Sequence, residues 1–384
     1  MDARQILEEL KTISDAPFPF LRNWKMRTGK NIVGYFCTYT PEEIIQAAGL
    51  LPVRILGSKE STSLAAKHLQ SYSCSLVQSS LEAALRGELN FLDGTVFTHT
   101  CDSIQRLSDI WAENLRFSYH WDLVLPVKLH TESARAYLIH ELRRFRLSLE
   151  EFIGHPISDE DLRASIALAN ENRSLLRELY LRRARHPVRF QAAEVLAIVK
   201  AATFLPKEDH NASLRKLLSR AEESQPRPPA KVRLFLAGSL CDHPPFFDLI
   251  EACGAFVVGD DLCTGSRYFV EDVSVAGDPI EALADRFFRR VPCPCKHNPN
   301  IDRGEHLLKM VEASQAQGVV FLLLKFCDPH AFDYPYLKEK LARQKVPSLL
   351  IEIEPGSISR GAVETRVQAF VETLGGENGG NGNR

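Results

Sequence analysis

Short unbroken apolar runs alternate along this chain with longer stretches whose apolar residues recur at helical spacing. NIVGYF (31–36) is the first such run and predicts a strand. Thr40-Pro41-Glu42-Glu43 then predicts a helix start: Thr40 can cap, proline suits the first helical position, and Glu43 completes a capping box. That helix ends at Gly49, a residue suited to the left-handed conformation that closes helices, and LPVRILG follows as a strand. A β-α-β order of this kind seeds a parallel sheet. GTVFTHT (94–100) and DLVLPV (122–127) predict two more strands, separated by the helical pattern SIQRLSDIWAENL, so a first α/β domain is expected over 1–130.

The period then changes. ESARAYLIHELRRFRLSLEEFIG and SDEDLRASIALANENRSLLRELYLRRA carry long helical patterns that end near Gly154 and His186-Pro187. With the stiff, proline-rich QPRPPA (225–230) they predict a helical region and linker over 131–230. From Lys231 the β/α alternation returns, with strands at KVRLFLAGS, AFVVGDD, GVVFLLLKF and SLLIEIE. GVVFLLLKF is a continuous apolar run of the kind buried on both faces of a parallel sheet. A second α/β domain is expected over 231–374, and the tail GGENGGNGNR (375–384) is expected to be disordered. The fold class is therefore α/β: two parallel-sheet domains with a helical insert between them.

The 384 residues are 45% hydrophobic and 25% charged with a formal net charge of −2, so no overall basic field draws the chain to nucleic acid or a membrane. The longest apolar run, VVFLLL, is too short to span a bilayer, and MDARQILEELKTI has no signal-peptide pattern; a cytoplasmic location is expected.

The 9 cysteines are odd in number, and none forms a CxxC pair, so neither a disulfide framework nor a local zinc or ferredoxin motif is indicated. Their positions are more informative. Cys37, Cys101 and Cys327 each follow a predicted strand where it hands over to a helix, and Cys74 opens an apparent helix. Ligands of open parallel sheets bind outside the carboxyl ends of the strands. Two readings are open: buried thiols acting as small hydrophobes, or distant thiolates converging on a metal. His99, Asp102 and His120 lie near the same edge; Asp102 is expected to cap a helix and the histidines to be structural. Gly238-Ser239 reads as a plain strand-to-helix turn, and VPCPCKHNP (291–299) as a proline-stiffened loop with incidental thiols.

GYFCTYTPEEIIQAAGLLPVRILG, CSLVQSSLEAALRG, HTCDSIQRLSDIW and GVVFLLLKFCDPH, in that order and with DDLCTGSRYF and ETRVQAF, resemble the 2-hydroxyacyl-CoA dehydratase / ATP-dependent benzoyl-CoA reductase family over nearly the whole chain. The chain is most similar to the smaller cluster- and substrate-binding subunit of class I benzoyl-CoA reductase. The resemblance implies two flavodoxin-like (Rossmann-like) α/β domains and an iron–sulfur cluster in the cleft between them, a [4Fe–4S] cluster or a larger double-cubane. By position, Cys74, Cys101 and Cys327 match the family's cluster cysteines, and Cys37 matches a site that is cysteine in some members and another group in others. Arg267 is the candidate to hold a phosphate of a CoA-thioester substrate, and Cys263 to line the cleft. The resemblance further implies a homologous second subunit, an ATP-hydrolysing electron activator and ferredoxin upstream. The implied chemistry is single-electron reduction of an aromatic acyl-CoA to a cyclic dienoyl-CoA or, in the dehydratase alternative, loss of a hydroxyl group without net redox change. A cluster-binding electron-transfer protein without an acyl-CoA site is the alternative of another class.

Overall fold

The computed structural model describes residues 2–57, 61–185, 190–220, 232–354 and 360–377. Two helices come first, α1 (Ala3–Asp15) and α2 (Pro17–Thr28). α1 begins with a reciprocal capping box between Asp2 and Gln5, which satisfies two N–H groups that a helix start leaves open. The expected β-α-β unit follows as β1 (Ile32–Tyr35), α3 (Glu42–Ala47) and β2 (Leu51–Arg54). The capping box expected at Thr40 does not form. The Thr40 hydroxyl lies 2.6 Å from both the Phe36 carbonyl and Thr98 Oγ1, and Pro41 takes the cap position. A buried hydroxyl must be satisfied, and here it ties together the ends of two neighbouring strands instead of a helix start.

α4 (Ser75–Leu85), β3 (Gly94–His99), α5 (Asp102–Asn114) and β4 (Tyr119–Val124) complete a parallel sheet of order β2-β1-β3-β4. Its register sets Ile32 opposite Leu51, Val33 opposite Gly94, and Gly94 opposite Tyr119. The intervening helices are α6 (Glu132–Ile153), which ends at a left-handed Gly154 as expected, α7 (Asp159–Arg185), α8 (Ala192–Ala201) and α9 (Lys207–Arg220). α1 packs against α8 and α9, so the amino-terminal helix is bound to the helical region. His186-Pro187 and the predicted linker QPRPPA lie outside the described residues.

The second sheet is built from β5 (Val232–Gly238), α10 (Pro244–Ala252), β6 (Ala255–Asp261), α11 (Pro279–Arg289), α12 (Arg303–Ala313), β7 (Gly318–Leu324), α13 (Asp328–Arg343), β8 (Ser348–Ile353) and α14 (Arg360–Glu377). Its order, β6-β5-β7-β8, repeats that of the first sheet. β7 is buried along its whole length, as its composition predicts. α12 is additional to the expected helices; Asp302 caps it, and Leu307 and Val311 turn one face inward. α14 continues through Gly375 and Gly376 to Glu377, and the rest of the tail is outside the described residues. No described helix is long and apolar enough to cross a membrane.

In both sheets the strand order reverses between the first and third strands in sequence, β1/β3 and β5/β7. That point opens a crevice at the carboxyl ends of the strands. The two sheets are interlocked as well as repeated. α11, from the second half of the chain, packs on α6, and its Ile280, Leu283 and Phe287 join Tyr39, Ile45, Leu138 and Leu142 in a core against the first sheet. Burying each such side chain is worth about 1.5–3 kcal/mol, so this exchange is a substantial bond between the halves.

Candidate functional site

β1 runs out at Tyr35, and the chain turns at Cys37 with φ 70°, a left-handed conformation that a non-glycine residue adopts at a cost of about 1–3 kcal/mol. β7 runs out in the same way through Phe326 (φ 63°) into Cys327. Cys74, Cys101 and Cys327 occupy the cap positions of α4, α5 and α13. None of these thiols makes a conventional capping hydrogen bond, yet each sulfur faces first-turn N–H groups: Leu76 and Val77 for Cys74, Ser103 and Ile104 for Cys101, His330 for Cys327. The cap expected at Asp102 is thereby corrected. Cys101 holds the position, because the strand turns there, and Asp102 is an exposed first-turn acid 3.6 Å from Arg106.

The sulfurs form a connected neighbourhood. Cys74, Cys101 and Cys327 lie close enough to feel one another's charge, and Cys327 also feels Cys263. Cys37 neighbours Cys293 and Cys263, while Cys295 lies beside both Cys101 and Cys293. Among the described residues no three His, Cys, Asp or Glu side chains close around a single ion.

The loop pattern makes Cys293 and Cys295 incidental, but the structure places them here. Their loop docks on the first sheet's side through paired backbone bonds, Leu129 N–H to the His297 carbonyl and His297 N–H to the Val127 carbonyl, both 2.8 Å. The Tyr39 hydroxyl, 3.0 Å from the Cys293 N–H, holds the other end. The CxC spacing is the one local signal, and only the docking gives it meaning.

Burial pushes Cys74 up to about 11 and raises Cys37 and Cys327 as well. The neighbouring Cys295 thiol does the reverse, lowering Cys101 and bringing Cys293 to about 6, while Cys295 itself holds its proton more tightly. Buried cations face this sulfur pocket. Lys296 Nζ donates to the carbonyls of Leu125 (3.2 Å) and His99 (3.3 Å) and feels Cys37, Cys295, Cys293 and Cys101. Arg54, at the end of β2, donates to the Cys263 carbonyl at 2.7 Å. Arg290 spans from Thr38 to the Arg267 carbonyl and stacks 4.3 Å over the Tyr39 ring.

Arg267 is 7% exposed and bonded inward. Its Nε and Nη2 form a bidentate pair with Asp261, 2.6 Å each, and its Nη1 reaches the Gly238 carbonyl and His330 Nε2, both at 2.8 Å. Asp261 is held well below the usual carboxylate range: burial alone would raise it, but the Arg267 and Arg303 charges prevail. His99 and His120 converge on one group: His99 Nε2 lies 2.8 Å from Asp122, which Ser108 also bonds, and Ser108 lies 3.0 Å from His120 Nε2. Behind Cys37, a small polar cavity is bounded by Tyr35, Glu42, Glu43, Arg173, Tyr268 and Arg286. Glu43 pairs there with Arg173, and Glu42 with Lys207, so buried charge is neutralised in place.

The donor set is soft and sulfur-rich, it is faced by helix N-termini and cations, and its buried thiols become anions readily only beside positive charge. These are the conditions an iron–sulfur cluster meets, and the residues fit one. A family model described as "2-hydroxyglutaryl-CoA dehydratase, D-component" matches residues 37–374. A benzoyl-CoA reductase subunit of Thauera aromatica is 31% identical over 94% of this chain and 95% of its own length. Lactoyl-CoA dehydratase subunit beta of Anaerotignum propionicum is 30% identical, covering 96% and 98%, and (R)-phenyllactyl-CoA dehydratase beta subunit of Clostridium sporogenes is 28% identical, covering 96% and 99%.

Proposed function

Because the chain belongs to the 2-hydroxyglutaryl-CoA dehydratase, D-component, family, we propose that it is the iron–sulfur subunit of a CoA-thioester enzyme, and specifically of an ATP-dependent benzoyl-CoA reductase. The observation that carries the reading is the convergence of Cys74, Cys101 and Cys327 at three helix starts drawn from both sheets. Cys37, Cys74, Cys101 and Cys327 would hold the cluster. When bound, it supplies single low-potential electrons to an acyl-CoA.

The chain's own residues perform the remaining tasks. The first-turn N–H groups and the buried cations balance the negative charge of the thiolates. Tyr39, Arg290 and Lys296 seal the base of the pocket and limit water. Cys37, at its strained turn beside Cys293, is the one of the four on a loop and not at a helix cap, which suits a sulfur able to release its metal. The partners would be a second subunit of similar fold, an ATP-hydrolysing activator fed by ferredoxin, and the CoA thioester itself. A cytoplasmic location accords with this assembly.

The dehydratase reading is favoured by the family description and by two of the three relatives named above. Iron and sulfide analysis of anaerobically purified protein tests both readings; a colourless, iron-free, folded chain would remove them together. Product analysis of the assembled, activated complex then separates them: a cyclic dienoyl-CoA from benzoyl-CoA supports the first, and an enoyl-CoA from a 2-hydroxyacyl-CoA supports the second.

A further inference from the structure

Arg267 and His330 form a buried pair whose donors and acceptors can be assigned from geometry alone. A guanidinium has N–H donors and no acceptor. Arg267 cannot rotate away, because Asp261 grips it at two points and the Gly238 carbonyl at a third. His330 Nε2, 2.8 Å from Arg267 Nη1, must therefore accept. A proton on that nitrogen would set donor against donor. The imidazole proton is left on Nδ1, which lies 3.3 Å from the Cys327 sulfur. His330 is 6% exposed, so no water shell competes for either nitrogen.

We propose that Arg267 fixes the tautomer of His330 so that its Nδ1–H donates to the Cys327 sulfur, making both positioning residues for that ligand. This rests on the cluster reading above. The arrangement forces the sulfur to accept, the role of a metal-bound thiolate, and it stabilises negative charge there. A donor to a ligand sulfur favours the reduced cluster and raises its midpoint potential. The acidic group that anchors the device, Asp261, sits at the end of β6, the cation follows it on the same loop, and the imidazole lies on the first turn of α13. The second sheet thus orients the one predicted ligand it contributes.

Two measurements test this. In the metal-free full-length chain carrying 15N-labelled histidine, the His330 signal, identified by its loss in His330→Asn, is expected to show the proton on Nδ1. A proton on Nε2 overturns the proposal whether or not the protein binds iron. In the anaerobic, cluster-loaded protein, His330→Phe is expected to retain its iron and lower the midpoint potential, disfavouring reduction about tenfold, or about 59 mV for one electron. His330→Asn, whose amide nitrogen can reach the Nδ1 position, is expected to restore the potential to near that of the unsubstituted protein. An unchanged potential in His330→Phe, or no difference between the two variants, overturns the role in tuning. If the unsubstituted protein holds no iron, the cluster reading fails separately and the tautomer alone decides.

Discussion

The two sheets share one strand order but divide the labour at their carboxyl edges. The first places Cys37 and Cys101 after β1 and β3, with Cys74 at a neighbouring helix start. At the matching places the second has Ser239 and Cys327. Its Ser239 hydroxyl accepts from the Leu324 N–H at 2.9 Å and so stitches β5 to β7. The second sheet has the buried polar groups Asp261, Arg267 and His330 behind its one predicted ligand. A repeated scaffold therefore makes an asymmetric site, the first side carrying three of the four proposed ligands and the second carrying one, with Arg267 and His330 behind it. The lesson is that topology sets where a site opens, while the loop residues set what it can bind.

Substitutions on the sulfur side are expected to have the largest effect. Cys101→Ala or Cys74→Ala should reduce bound iron at least tenfold in anaerobic preparations, measured per chain. Cys241→Ala, beyond β5 and fully buried, should leave the iron content unchanged and cost only about 1–2 kcal/mol of stability. Loss of iron in Cys241→Ala would break the division drawn above.

The strands that end at the crevices should also differ. A Cβ at Gly238 (φ 139°) would stand 2.0 Å from the Leu322 carbonyl oxygen, backbone against backbone, so Gly238→Ala should cost more than about 4 kcal/mol and prevent β5 from pairing with β7. Gly34→Ala on β1 meets only the side-chain ends of Leu92 and Ile55, at 2.7 and 2.8 Å, and should cost about 1–3 kcal/mol. Chemical denaturation of the two variants checks the contrast. Equal costs would show that the two crevices are built alike.

Next in size is the buried Glu43–Arg173 pair, which joins α3 of the first sheet to α7. Arg173→Met strands a carboxylate with no route to water and should cost about 3–5 kcal/mol, with less loss in the double variant Glu43→Gln, Arg173→Met.

The smallest effect concerns the helical region. His210 is fully buried; Asn172 donates to its Nδ1 at 2.7 Å, and its Nε2–H reaches the Ile198 carbonyl at 3.0 Å. Burial, then the Lys207 charge, push its pKa down from 6.5 to about 3. The neutral ring's stability is fully present above about pH 6.5. Below that the unfolded chain takes up a proton that the native chain refuses, so stability falls by about 1.4 kcal/mol per pH unit toward pH 3. Between pH 7 and pH 5 the protein should lose about 2 kcal/mol more than His210→Gln in chemical denaturation.

Much of this arrangement is legible in the chain. The apolar runs mark the strands because a parallel sheet buries both faces, and the cysteines after β1, β3 and β7 sit where such sheets bind ligands. Thr40 and Asp102 depart from their local reading for a common reason. Each has a plausible local role as a helix cap, and each is claimed by something near in space or by the turn geometry. Thr40 bonds Thr98, and Asp102 yields the cap to Cys101.

The sequence by itself determined where the strands and most of the helices lie and which thiols stand at strand ends, because those follow from periodicity and from the few residue types that turns tolerate. Only the tertiary structure decided that α11 would complete the first sheet's core and that Cys293 and Cys295 would be carried to Cys101. It also decided that a buried arginine would dictate which nitrogen of His330 holds the proton. Contacts between residues far apart in the chain depend on how whole layers pack, and no local pattern encodes which distant donor reaches a given sulfur first.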